Sequence, residues 1–196
     1  MHPPIDEPAL AQLFTNARSH RRWTAQTVSD DTLRRLYEIM KWGPTSVNSN
    51  PARLVFVRTE EAKARLYPAL MELNVAAVRS APVTAIVAYD EQYTERLPEL
   101  FPAYDAKPLF DADPTFRYDT AFRNSSLQGA YLILAARALG LDTCPMSGFY
   151  NAKLDEIFFH GTSWRSNFLC LLGHGDDSGL HPRGPRLAFE DACRLM

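Results

Sequence analysis

Leu33, Leu36, Tyr37 and Met40 fall three and four residues apart, the spacing that lines up apolar side chains on one helix face. Ser29 stands ahead of them as an N-cap, Asp30 and Asp31 complement the positive helix end, and Gly43-Pro44 closes the segment. A shorter helix is expected upstream, from about Pro8 to Ala17. Leu54–Val57 reads as a short buried strand, and Val83–Tyr89, continuously apolar and rich in β-branched residues, as a central one. Between them Thr59 caps a helix led by Glu60 and Glu61, which Pro68 breaks or kinks. The longest helix is expected from about Phe116 to Leu139, with Gly140 as its C′ glycine. Its polar residues Arg123, Asn124 and Gln128 give way to the apolar run Tyr131–Ala136, which predicts a buried second half. Strands near Asp142–Met146 and Phe168–Leu172 follow, with a helix capped by Asn151 between them. The stretch after Gly173 is rich in Gly, Pro and His and ends in a helical-looking segment, Phe189–Leu195. From Pro98 to Pro114 four prolines interrupt every regular pattern, predicting a surface excursion; a lid and an inert loop are both open readings.

Helices and about four strands without strict β-α-β alternation predict an α+β fold rather than a doubly wound sheet. The 196 residues fit a single domain spanning 1–196, and 46% hydrophobic with 22% charged residues is ordinary for a soluble globular protein. A net charge of -2 removes the electrostatic footprint of a nucleic-acid binder. Cys144, Cys170 and Cys193 are odd in number and widely spaced, so neither a disulfide framework nor a metal site follows. The longest apolar run, Ala130–Ala136, is far short of the roughly 20 residues that span a bilayer. The first residues lack the basic and apolar regions of a signal peptide. Free thiols and these absences lead to an expected cytoplasmic location, with neither membrane nor nucleic acid as a partner. Neither G-x-G-x-x-G after a strand nor G-x-x-x-x-G-K-[ST] occurs, which excludes a Rossmann dinucleotide site and a P-loop.

Two polar clusters carry candidate chemistry. Pro44-Thr-Ser-Val-Asn48-Ser-Asn50-Pro51 packs four short hydrogen-bonding side chains between two prolines, more than a generic turn uses. Ser and Asn groups of this kind match the donors and acceptors on the edge of an uncharged ring; a capped helix-to-strand connection is the plainer reading. Upstream, Arg18, Ser19 and Arg21 offer two guanidinium forks and a hydroxyl to a phosphate, or else form a solvated basic helix end.

These segments resemble, in order, the motifs of FMN-dependent oxidoreductases of the nitroreductase family. Asn74, a few residues before the strand entry Ala81-Pro82, resembles the family asparagine that reaches the flavin. Gly140-Leu-Asp-Thr-Cys-Pro145-Met-Ser147-Gly148-Phe149 resembles its later turn beside flavin N5 and O4, where glycine permits close backbone approach. Arg183 and Arg186 resemble the basic residues that close over the phosphate. Lys41-Trp-Gly-Pro-Thr-Ser, Ala121-Phe-Arg-Asn-Ser-Ser and Pro145-Met-Ser-Gly-Phe are similar to the subgroup containing malonic semialdehyde reductase of pyrimidine breakdown. The chain departs from the commoner family pattern at Ala52, where an aromatic is usual, at Ala77, where several relatives carry lysine, and at Ser147, where some carry glutamate.

The resemblance implies a nitroreductase-like fold, a mainly antiparallel mixed sheet flanked by helices in an intertwined homodimer with a swapped terminal segment. It implies FMN as cofactor, NADH or NADPH as co-substrate, and ping-pong hydride transfer through flavin N5 to a small-molecule electrophile. Cofactor binding falls to Arg18, Ser19, Arg21, Asn74, Ser147, Gly148, Arg183 and Arg186, with Pro44, Thr45, Ser46 and Asn48 reaching in from the second copy. No side chain is required as a catalytic group, since the flavin carries the chemistry. The subgroup points to reduction of malonic semialdehyde to 3-hydroxypropionate, with Arg53 or Arg123 as the carboxylate anchor. A broad nitroaromatic or quinone reductase is the alternative. Outside enzymes stand a flavin-binding carrier or sensor without turnover, and a cofactor-free interaction domain.

Overall fold

Four strands, Ala52–Val57 (β1), Val83–Asp90 (β2), Asp142–Met146 (β3) and Trp164–Gly173 (β4), form one sheet in the order β1-β2-β4-β3. The computed structural model describes residues 2–196. Every strand pair is antiparallel: Ala52 faces Tyr89, Val83 faces Leu172 and Met146 faces Leu169. β2 is buried at every position, as its unbroken apolar character requires of a strand covered on both faces. Among the described residues the one parallel element is an isolated bridge of Ser19 to Thr143, which lays the basic segment along the outer edge of β3.

Alternation along the strands assigns each sheet face its helices. Val83, Ala85, Val87, Cys170 and Leu172 pack beneath helices Asp30–Met40 and Pro114–Ala138. Ile86, Ala88, Leu169 and Leu171 pack on the opposite face, against Glu60–Leu66, Glu72–Ser80 and Asn151–Phe158. In chain order the helices are α1 (Glu7–Leu10), α2 (Asp30–Met40), α3 (Glu60–Leu66), α4 (Glu72–Ser80), α5 (Leu97–Leu100), α6 (Lys107–Asp111), α7 (Pro114–Ala138), α8 (Asn151–Phe158) and α9 (Phe189–Ala192). Among the described residues no helix is long and apolar enough to cross a membrane.

The local signals hold at most ends. The Ser29 hydroxyl accepts from the Thr32 amide at 3.1 Å and the Thr59 hydroxyl from Ala62 at 3.2 Å. Gly140, at φ 76°, lets Leu141 N–H reach Ala136 C=O at 2.9 Å and its own N–H reach Arg137 C=O at 3.0 Å, closing α7 with a Schellman motif.

Five expectations are corrected. The first helix is a single α turn followed by a π turn, Ala11–Thr15. The terminal helix stops at Ala192, short of Leu195. Tyr150, not Asn151, occupies the N-cap of α8; Asn151 is already helical and its amide donates to Ser166 C=O at 2.9 Å. In α7 burial follows a stripe from Thr120 to Ala136, so Asn124 and Gln128 are buried while Tyr131 is exposed. Residues 98–114 are a largely exposed surface segment, as expected, but irregular mainly over 101–106. Pro98, Pro108 and Pro114 sit in the first turns of α5, α6 and α7, where a missing N–H costs nothing. These turns form a helical cap around a small core of Tyr89, Tyr93, Leu97, Ala106, Phe110 and Ala121.

Candidate functional site

The basic segment is fixed by the edge of β3, where His20 N–H donates to Thr143 C=O at 3.2 Å. Arg21 turns from this edge toward α4, donating to Leu73 C=O at 2.6 Å and to Asn74 Oδ1 at 3.1 Å. Asn74, buried, donates through Nδ2 to Gly148 C=O at 2.9 Å, and Met71 N–H reaches the same carbonyl at 3.0 Å. A Cβ on Gly148 would stand 2.3 Å from Asn74 Nδ2, so this backbone approach is open only to glycine. Arg21, Asn74 and Gly148 thus form one connected group, with Ser147 exposed beside it.

The tail adds one more guanidinium group, Arg183, to this edge. Arg18 donates to His181 C=O, and Arg183 to Ala17 C=O at 3.2 Å. Arg186 folds back on Gly184 and Pro185 carbonyls, each at 3.0 Å, and is not brought to the group within one chain. The hydrogen-bond partners of Arg18, Arg21, Arg183 and Arg186 are all neutral oxygens. Guanidinium groups so placed keep their full charge for an anion.

The second cluster lies across the sheet. Pro44–Pro51 leads into β1, one edge strand, whereas Ser147-Gly148 follow β3, the other. Three inter-strand steps of about 4.8 Å separate those edges by roughly 14 Å. The loop is held by α7 on one sheet face, while Asn74 sits on α4 on the other. One copy of the chain therefore does not unite the two clusters.

The loop is shaped against its backbone preference. Val47, Asn48 and Asn50 have φ of 46°, 49° and 42°. Asparagine tolerates this region, but for a β-branched valine it costs on the order of 1–3 kcal/mol. Buried side chains of α7 hold the shape: Asn124 Oδ1 accepts from Ser46 N–H at 2.8 Å, and Gln128 Oε1 from Ala52 N–H at 2.9 Å. Gln128 also donates to Asn50 Oδ1 at 3.3 Å, the Thr45 hydroxyl accepts from Asn50 N–H at 3.2 Å, and Asn48 donates to Leu100 C=O in α5 at 2.8 Å. Asn124 and Gln128 are site-building residues that the sequence reading left as mere helix polarity. Their signal was an amide pair at i and i+4 on the face that also carries Leu132. Asn124→Ala is expected to destabilise the fold by about 1–2 kcal/mol, because the Ser46 N–H loses its acceptor and the Thr120 carbonyl its second donor; urea denaturation measures it.

Of the two arginines considered for a substrate carboxylate, Arg53 is already engaged. It pairs with Asp90 at 2.7 Å and donates to Asn50 and Ala52 carbonyls, so its charge is spent on holding the loop. Arg123 is exposed on the outer face of α7. The cysteines offer no nucleophile in the core: burial pushes the Cys170 thiol up to about 12 and raises that of Cys144.

These features define the class: an α+β protein whose antiparallel sheet carries an unneutralised cationic cradle on one edge and a strained polar loop on the other. The chain belongs to the nitroreductase family, whose family model matches residues 15–174. A relative from Rhodopseudomonas palustris (strain TIE-1), provisionally named NADH dehydrogenase/NAD(P)H nitroreductase, is 55% identical over 196 residues, covering all of both chains. Among solved structures, a provisionally named nitroreductase from Bacillus subtilis superposes with a TM-score of 0.88 at 21% identity, over 97% of this chain and 100% of that one. A provisionally named nitroreductase from Exiguobacterium sibiricum 255-15, determined in complex with FMN, gives 0.85 at 22% identity over 100% and 99%. The enone reductase CLA-ER of gut-bacterial fatty acid saturation gives 0.84 at 23% identity over 98% and 100%. The fold is nitroreductase-like.

Proposed function

We propose that the protein is an FMN-dependent oxidoreductase that takes hydride from NADH or NADPH and delivers it to a small electrophile, acting as a homodimer. The observation that carries this reading is the joined group Arg21–Asn74–Gly148 beside guanidinium groups that meet only neutral oxygens. Its parts fit a riboflavin phosphate. Arg18, Ser19 and Arg21, with Arg183 and Arg186 of the tail, supply charge and a hydroxyl for the phosphate dianion. Asn74 and the Ser147-Gly148 backbone supply amide groups for the ring, and the missing Cβ at Gly148 lets Asn74 lie against this turn.

Bound FMN would supply the hydride relay at its N5, which is why the chain needs no nucleophile or obligatory acid of its own. The protein's work is orientation and exclusion. Pro44, Thr45, Ser46 and Asn48 would come from the second copy, since one chain keeps them on the far edge of its sheet. Several surfaces favour such a dimer. Residues 181–196 are exposed throughout, with Leu187, Phe189 and Leu195 uncovered, and Tyr118, Phe122, Leu127 and Tyr131 leave α7 apolar on its outer side. A tail laid on the partner would bring Arg186 toward a phosphate it does not approach within its own chain.

For the substrate, the reading extends to malonic semialdehyde, reduced to 3-hydroxypropionate. Arg123, without the carboxylate partner that occupies Arg53, is the freer of the two cations for its carboxylate. The test is an absorbance spectrum of the purified protein before and after NADH or NADPH without oxygen. A yellow protein that bleaches is expected; a colourless one, or one that stays yellow with both, overturns the oxidoreductase reading. Comparing kcat/KM for the aldehyde, a nitroaromatic and a quinone decides the narrower point, and no turnover of the aldehyde removes it.

A further inference from the structure

Ser49 N–H donates to Ser46 C=O at 3.0 Å, closing a four-residue turn whose central residues are Val47 and Asn48. Both have positive φ, 46° and 49°, the requirement of a type I′ turn. Glycine, asparagine and aspartate ordinarily fill such positions, since a side chain branched at Cβ crowds the backbone there. Asn48 conforms to that preference and Val47 does not. A valine in the left-handed region needs a reason outside the backbone.

Its side chain supplies one. Val47 is the one apolar side chain between Pro44 and Pro51. It is half-buried and packs on the small core of the helical cap, the cluster around Tyr93 and Phe110. Asn48 fastens the same tip to the cap through Leu100 C=O at 2.8 Å. The rest of the loop is tied to α7, through Ser46 N–H to Asn124 Oδ1 at 2.8 Å and Ala52 N–H to Gln128 Oε1 at 2.9 Å. Asn124 and Gln128 thus hold the loop near its two ends, while Val47 and Asn48 hold its tip. Ser46 and Asn48, on either side of the valine, are exposed.

We infer that Val47 is a positioning residue. It pins the turn to the cap, so that Thr45, Ser46 and Asn48 stand in one geometry before the flavin arrives. The inference rests on the reading of this loop as the second copy's contribution to the FMN site. A turn selected for stability alone would carry glycine or asparagine at this place. A β-branched side chain has few rotamers, so it fixes the tip with little loss of its own freedom. A loop fixed in advance loses no further freedom on meeting the ring, and its contacts are not offset by ordering.

The experiment compares FMN affinity of the apoprotein, by fluorescence titration, with its Tm, by calorimetry, in wild type, Val47→Gly, Val47→Asn and Val47→Ile. Glycine and asparagine accept the left-handed backbone but cannot pin it, whereas isoleucine keeps a branched apolar side chain. Val47→Gly and Val47→Asn are expected to bind FMN about tenfold more weakly, the effect of ordering one or two side chains on binding. Their Tm should stay within about 3 °C of wild type, because relieved strain offsets the lost contact. Val47→Ile should keep wild-type affinity. Wild-type affinity in both Val47→Gly and Val47→Asn overturns the proposal, as does an equal loss in Val47→Ile. Affinity that falls only in step with Tm makes the role of Val47 structural and overturns it too. Wild type that binds no FMN overturns instead the flavin reading on which the proposal stands.

Discussion

Replacing Arg21 with alanine is expected to weaken FMN binding by about 2–3 kcal/mol, roughly 30- to 150-fold. Two losses add. On the proposed reading the phosphate would forfeit a charge-assisted fork, and Asn74 forfeits the donor that fixes its Oδ1 at 3.1 Å, which frees its amide to leave the Gly148 carbonyl. Arg21→Lys keeps the charge but reaches one partner rather than Leu73 and Asn74 together, so it should restore only part of the affinity. Fluorescence titration of the apoprotein reads all three values. Equal affinity in Arg21→Ala and wild type would remove the cationic cradle from the site, and Arg21→Lys matching wild type would remove the fork geometry.

Phe110→Ala is expected to cost about 3–5 kcal/mol of stability, the range for truncating a fully buried phenylalanine. For a chain of this length that lowers Tm by roughly 6–20 °C. Phe110 packs edge-on against Tyr93 at 5.7 Å and stacks on Phe116 at 5.2 Å, with Leu97, Ala106 and Ala121 completing its cavity. No flexible loop would show such a penalty. The damage should also reach the site, because α5 offers Leu100 C=O to Asn48 and Val47 packs on the same small core. Calorimetry that finds Tm unchanged, with residues 98–113 merely more open to protease, would show that the cap melts apart from the rest.

The legible parts of the fold share a physical origin. Ser29, Thr59 and Gly140 act within one turn of their own position, so the interactions they make are decided by neighbours in sequence. β2 could be read because a strand covered on both faces cannot alternate. Residues 98–114 misled for the same local reason: proline was taken as a breaker, though at a helix start it interrupts nothing. Arg21, Asn74 and Gly148 were legible as chemistry and as a family pattern. That Arg21 donates to Asn74 and Asn74 to Gly148 was not, since these residues lie 53 and 74 positions apart.

By itself the sequence determined helices α2, α3 and α7, the places of the strands and the inventory of groups suited to a phosphate and a polar ring edge, because backbone propensity, periodicity and side-chain chemistry are local properties. Tertiary structure alone decided where those groups stand. It set the cationic cradle and the polar loop on opposite edges of the sheet, committed Arg53 to Asp90, and turned Asn124 and Gln128 inward to hold a strained loop. Each of those outcomes depends on strand order and on pairings between distant residues, which no stretch of chain encodes alone.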